Sequence, residues 1–186
     1  MLNRCVVIFM LLSVTTVSKA DVVQVNSTGF LVKHEVNVKA APAKVYDALV
    51  GQVGSWWDPQ HTYSGDSKNL AIDARPGGCF CERLENGGGI EHMRIVYVQP
   101  GAQIRMAGAL GPLQASGLAG SLTWKLTTDA GSTKVELTYS VGGYMQGGIE
   151  KMAPAVDNVL GEQLHRLKAF VETGNPTSSA TKSSGT

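Results

Sequence analysis

Between residues 69 and 141 the chain is written as short apolar runs separated by turn residues, and this punctuation constrains the fold more than any other feature. The runs are Leu70 to Ala74, Cys79 to Glu85, Ile90 to Gln99, Ala102 to Ala109, Ala119 to Thr128 and Thr133 to Val141. Between them stand Pro76-Gly77-Gly78, Asn86-Gly87-Gly88-Gly89, Pro100-Gly101, Gly111-Pro112 and Asp129-Ala130-Gly131. These residue types supply the bends and left-handed backbone that tight turns require. Links this short join antiparallel neighbours, because parallel strands need long crossovers. A meander of six strands is expected. A further strand precedes it: in Gly29 to Val38, Phe30, Val32, His34, Val36 and Val38 alternate with Leu31, Lys33, Glu35 and Asn37, the pattern of a half-buried strand.

The last two runs show which side of this sheet is covered. Leu122, Trp124 and Leu126 share one face, as do Val135, Leu137, Tyr139 and Val141, while Lys125, Lys134, Glu136 and Thr138 point the other way. After Pro154, the positions Val156, Val159, Leu160, Leu164, Leu167, Phe170 and Val171 recur at helical spacing, with Asp157, Glu162, Arg166 and Lys168 mostly opposite and Gly174 as a stop. This predicts an amphipathic helix of about five turns, long enough to cross the sheet. Earlier, Ala41-Pro42 opens a short helix carrying Val45, Tyr46, Leu49 and Val50, and Gly51 and Gly54 interrupt it before Trp56-Trp57-Asp58-Pro59. The expected class is α+β: a curved seven-stranded antiparallel sheet, two short helices, and a long C-terminal helix gripped by the sheet around a cavity.

The ends differ in composition. Residues 1–20 carry Arg4, an apolar run from Cys5 to Val14, and Ser18-Lys19-Ala20 before Asp21. That is the plan of a cleavable signal peptide, and the run is well short of the roughly 20 residues that span a bilayer. Residues 21–28 then form a lead-in, 29–174 the domain, and 175–186, rich in Ser, Thr and Gly, a disordered tail. Export places the mature chain in the periplasm or outside the cell, with no stable membrane insertion after cleavage. Cleavage removes Arg4 and Lys19 and no acid, taking the formal charge from +1 to −1. A chain so close to neutral has no electrostatic footprint for nucleic acid.

The order of elements, together with Val45-Tyr46-Asp47-Ala48-Leu49, Trp56-Trp57, Pro76-Gly77-Gly78 and Gly161-Glu162-Gln163-Leu164, resembles the SRPBCC superfamily. These are the helix-grip domains that include START, Bet v 1-like, polyketide cyclase and Hsp90-activator-like proteins. The resemblance covers about residues 30 to 173 and is nearest to bacterial members labelled by likeness to Hsp90 ATPase activators. It implies a deep apolar cavity that holds a small hydrophobic ligand, and no cofactor. Hsp90 itself is not an expected partner, since an exported chain does not meet a cytosolic one.

Several side chains are candidates for contact with such a ligand. Trp56, Trp57, His61 and Tyr63 set aromatic surface beside a titratable ring in the segment expected at the cavity mouth. Phe80, Trp124 and Tyr139 sit on the expected covered face, and Tyr144 and Met145, in the glycine-rich link before the long helix, form a possible second lip. Glu82, His92 and Arg94 lie on neighbouring strands and can meet: pointing inward they would orient a polar group, with Glu82 and His92 as the acid-base candidates, and pointing outward they are a surface ion pair. Cys79 and Cys81 flank Phe80 on one side of a strand, about 6.6 Å apart by strand rise. They read either as two small buried thiols or, in an oxidising compartment, as a strained redox pair. His34, His61, His92 and His165 show no ligand spacing with them, so no metal site is expected. Three functions stay open: a binding protein for a small apolar or amphipathic molecule, a cyclase-, dehydratase- or hydrolase-type enzyme acting on one, and, more plainly, an interaction module that uses the outer surface of the sheet.

Overall fold

The computed structural model describes residues 21–178. Residues 1–20 and 179–186, which hold the expected signal segment and most of the expected tail, lie outside them. The first four tail residues are not free chain, because Asn175 and Thr177 fold into a hydrogen-bonded turn on Thr173. In order, the elements are β1 (Asp21–Asn26), β2 (Gly29–Val38), α1 (Pro42–Gly51), α2 (Val53–Trp56), β3 (Leu70–Ile72), β4 (Cys79–Arg83), β5 (Gly89–Gln99), β6 (Gln103–Ala107), β7 (Gly117–Asp129), β8 (Ser132–Tyr144) and α3 (Ala153–Thr173). No described helix is long and apolar enough to cross a membrane.

The strands form one antiparallel sheet in the order β1-β2-β8-β7-β6-β5-β4-β3. It has eight strands, not the expected seven, because the lead-in pairs with β2 from Asp21↔Lys33 to Asn26↔Gly29. The hairpin is closed by Asn26, whose Oδ1 accepts from the N–H of Thr28 at 2.9 Å, the hydroxyl of Thr28 at 2.7 Å and the N–H of Gly29 at 3.1 Å. A side-chain amide folded back in this way does the work of a backbone turn. The long β7–β8 pairing and the β2–β8 pairing keep full register over their lengths, and their inward residues Val32, Leu122, Trp124, Val135 and Leu137 are buried.

Helix α3 covers this face. Pro154 stands in its first turn, and Gly174, at φ 79°, ends it with its N–H donating to Phe170 O at 2.8 Å. Leu160, Leu164, Leu167 and Val171 are buried, each worth about 1.5–3 kcal/mol relative to exposure. Two polar residues share their side. Gln163 Oε1 accepts from the backbone N–H of Asp58 at 2.9 Å. Asp157, expected on the wet side of the helix, is instead buried against the sheet, with Oδ1 2.9 Å from His34 Nε2 in a contact too bent to count as a hydrogen bond. The helix approaches the sheet closely here because residue 161 is glycine: a Cβ there would lie 2.9 Å from His34 Cε1.

Strand β5 carries two slips in register. Opposite β4, Phe80 pairs with Met93 but Cys81 pairs with Glu91, which leaves His92 as an extra residue. A bulge of this kind breaks alternation, and His92 and Met93 are accordingly both buried while Arg94 is exposed. A second slip against β6, between Ile95 and Tyr97, leaves Val96 and Tyr97 both exposed.

Candidate functional site

The bulge, the loop after α2 and the first turns of α3 surround a cavity of about 330 Å3. Leu70 and Phe80 form its sheet wall, with His92 beside them. Met152, Ala155, Val156, Val159 and Leu160 of the helix region face them, and Leu110 to Leu113 of the β6–β7 connection close one side. The mouth runs along Trp57 and Gln60 to Tyr63, of which Gln60, His61 and Tyr63 are exposed. Volume and lining fit a small ligand, at the lower end of the roughly 300–1,000 Å3 typical of such sites.

The mouth loop is pinned from two directions. Trp57 Nε1 donates to His61 O at 3.0 Å, and its ring meets Phe80 edge-on at 5.3 Å. On the helix side Arg166 Nε donates to Trp56 O at 2.9 Å, and its guanidinium lies 3.5 Å from Asp58. On the sheet side stands Glu82, 2 % exposed. Its carboxylate accepts from Tyr63 N–H at 3.1 Å and Ser64 N–H at 2.5 Å, and from His92 Nε2 at 2.9 Å.

The electrostatics of the Glu82–His92 pair follow from burial and donors. Burial works to raise the Glu82 carboxyl, but the hydrogen bonds from Ser64, Tyr63 and His92 outweigh it and hold the group below the usual carboxylate value. For His92 burial dominates and lowers its value, against the opposing pull of Glu82. At neutral pH the pair is therefore a carboxylate and a neutral imidazole. A carboxylate only accepts, so the proton sits on Nε2 and the lone pair on Nδ1. The ring is flanked by Phe80 at 5.1 Å and Tyr63 at 6.0 Å between centroids. Such a ring at an apolar wall accepts a hydrogen bond or takes a proton, while the carboxylate stabilises the imidazolium that results.

The remaining candidates divide by place. Trp57, His61, Tyr63, Phe80 and His92 line the cavity, and Glu82 stands behind His92. Trp56 lies in the core, its Nε1 donating to Ala48 O at 3.0 Å and its ring edge-on to Trp124 at 6.0 Å. Neither it nor Trp124 reaches the cavity wall. Tyr139 acts at one remove: its hydroxyl, pushed up to about 12 by burial, accepts from Leu110 N–H at 3.0 Å and so fixes the connection that walls the cavity. Gly120 makes room for that ring, since a Cβ there would lie 2.8 Å from Tyr139 Cε2.

Two expectations are corrected, and one open alternative is decided. Arg94 does not join Glu82 and His92, because the bulge at His92 puts the two on opposite faces, and on the outer face Arg94 Nη2 donates to Glu91 at 2.8 Å. Tyr144 is 76 % exposed, and Met145 packs partly buried on the core rather than at the cavity, so the expected second lip is absent from the lining. Cys79 and Cys81 are joined in a disulfide rather than lying as free thiols, with Cα atoms 5.4 Å apart where an extended strand would hold them at about 6.6 Å. Apart from Gln60 and Thr62 at the mouth, the lining that sequence reasoning missed is Leu110 to Leu113, Leu70, and Met152, Ala155, Val156, Val159 and Leu160 of the helix region. An apolar Leu-Gly-Pro-Leu in a turn was the available signal for the first, since solvated turns have no use for two leucines.

Residues 30–172 match a family model described as polyketide cyclase / dehydrase and lipid transport. Among solved structures, the Mll3558 protein from Rhizobium loti is similar at 20% identity over 75% of this chain and 94% of that one, with a TM-score of 0.56. The Aha1 dimer from Colwellia psychrerythraea matches at 19% identity over 77% and 97%, TM-score 0.54. CalU16 from Micromonospora echinospora matches at 14% identity over 78% of each chain, TM-score 0.54. At these identities the likeness is one of fold, the helix-grip arrangement of a curved antiparallel sheet and a long C-terminal helix. No curated protein matches the chain.

Proposed function

Because the chain belongs to the polyketide cyclase / dehydrase and lipid transport family, we propose that its mature part is an exported, periplasmic binding protein for a small hydrophobic or amphipathic ligand. The observation that carries this reading is the apolar cavity between α3 and the sheet, with His92 as a buried polar point in its wall. A ligand of about 15 heavy atoms at about 0.4 kcal/mol each would bind with a Kd of tens of micromolar. The composition of residues 1–20 supports export, as does a disulfide on the protein surface.

The test uses protein beginning at Asp21 and the fluorophore Nile red. Saturable binding that Val156→Phe weakens at least tenfold, with an unchanged melting temperature, supports the reading, because the added ring occupies the cavity. Binding that is undiminished by Val156→Phe excludes this cavity as the site. Export is tested separately by the mass of the protein in a periplasmic extract, which should correspond to a chain starting at Asp21.

A second reading, catalysis on the bound molecule, is favoured by one specific observation, the buried 2.9 Å contact of Glu82 with His92. There His92 Nδ1 would be the base and Glu82 its orienting partner. Turnover abolished by His92→Gln with ligand binding retained would favour it over simple carriage.

A further inference from the structure

The strand that forms the cavity wall with Phe80 and Glu82 carries Cys79 and Cys81 on its opposite, outer face. Their side chains are partly exposed there, next to the short edge strand β3. Across the β4–β5 ladder Cys79 pairs with Arg94 and Cys81 with Glu91. The two Cα atoms stand 5.4 Å apart, about 1.2 Å less than two steps of extended chain. That contraction falls where the register slips, between Phe80 and Cys81. At the slip the surplus residue of β5 is His92, and a bulge of this kind breaks alternation and leaves the imidazole turned inward onto Glu82.

We infer that the Cys79–Cys81 disulfide is a thiol-exchange site that sets, through the bulge, the position of His92 in the cavity wall. Its partner is a dithiol reductant approaching from solvent. A thiolate of the dithiol attacks Cys81 Sγ, and the electron pair of the Sγ–Sγ bond leaves on Cys79 Sγ. The second thiolate of the dithiol then attacks its own sulfur in the mixed disulfide and releases Cys81. Two electrons and two protons pass to the protein, and the dithiol becomes a disulfide. With the bond open, β4 relaxes toward full extension at the slip, the bulge changes shape, and the His92 imidazole moves relative to Glu82.

This stands apart from ligand binding, and the experiment uses no ligand. Nitrogen-15 spectra of the imidazoles in the chain from Asp21 onward resolve His92 among the four histidines by its loss in His92→Gln. In the oxidised protein His92 shows a protonated Nε2 with a downfield, slowly exchanging proton. Dithiothreitol should abolish that proton signal and move both ring nitrogens, with two alkylatable thiols appearing by mass spectrometry, and oxidised glutathione should restore it. The double variant Cys79→Ser, Cys81→Ser should show the reduced pattern and ignore dithiothreitol. If that variant does not fold, as judged by circular dichroism, reduction of the wild type still decides. Unchanged His92 signals after full reduction, or a bond that dithiothreitol opens only in urea, would overturn the inference.

Discussion

Glu82→Gln is the substitution whose consequence the structure fixes most closely. The carboxylate uses Oε1 for Ser64 N–H and Oε2 for both Tyr63 N–H and His92 Nε2. A glutamine has one acceptor oxygen, so its amide nitrogen must face a backbone N–H whichever way the group is turned. One buried donor is then orphaned, at about 1–3 kcal/mol, and a charge-assisted bond worth about 1.5–3 kcal/mol is lost. The sum is about 2.5–6 kcal/mol, which for a domain of this size lowers Tm by roughly 5–20 °C. Urea unfolding followed by tryptophan fluorescence measures it, and amide hydrogen exchange at Tyr63 and Ser64 should rise in parallel. A loss below about 0.5 kcal/mol, the range of an ordinary surface change, would show that Glu82 does not hold the loop and would refute the reasoning.

Two further outcomes follow from the same contacts. His92 has a folded value below the unfolded one of about 6.5, so the unfolded chain takes up more protons as pH falls through that point. Stability should therefore drop from about pH 6.5 down to the folded value, and His92→Gln should flatten the urea-midpoint profile there by up to about 1.4 kcal/mol per pH unit. An equally steep profile in the variant would contradict this. The Glu82 contribution occupies a lower window, present above its unfolded value of about 4.3 and lost as pH falls through the depressed folded one. Gly161→Ala should destabilise by about 1 kcal/mol, since overpacking against His34 at 2.9 Å costs about 1–3 kcal/mol and the gain in helix propensity returns up to about 1 kcal/mol. A stabilised variant in the same unfolding assay would mean that the helix shifts freely.

The residues differ in how far they could be read from the sequence, and the reason is physical. Strand alternation and helical spacing report which side of an element is covered, so β2, β7, β8 and α3 were legible, and Phe80 and Glu82 were correctly drawn to one face. The same signals do not distinguish a solid core from a cavity wall, which is why Trp124 and Tyr139 stood beside Trp57 as candidates although only Trp57 lines the space. Arg94 was misplaced by parity: alternation assigns 92 and 94 to one face, and a bulge has no composition of its own. Strand β1 was passed over because Val23 and Val25 are exposed on an edge, where a strand has no buried partner face to imprint a pattern. Asp157 is hidden for the opposite reason, since its burial depends on His34, more than a hundred residues away.

The sheet is a scroll whose two margins, β1 and β3, are never zipped to each other. A sealed barrel can change its bore only by breaking ladder hydrogen bonds. Here the opening is covered on the β1 side by α3 and on the β3 side by α1 and α2, and α3 is clasped across it by Gln163 accepting from Asp58 N–H and Arg166 donating to Trp56 O, so the calibre of the interior is set by side-chain clasps and not by rungs of the ladder. A change of bore in this domain would cost those clasps and leave the ladder whole.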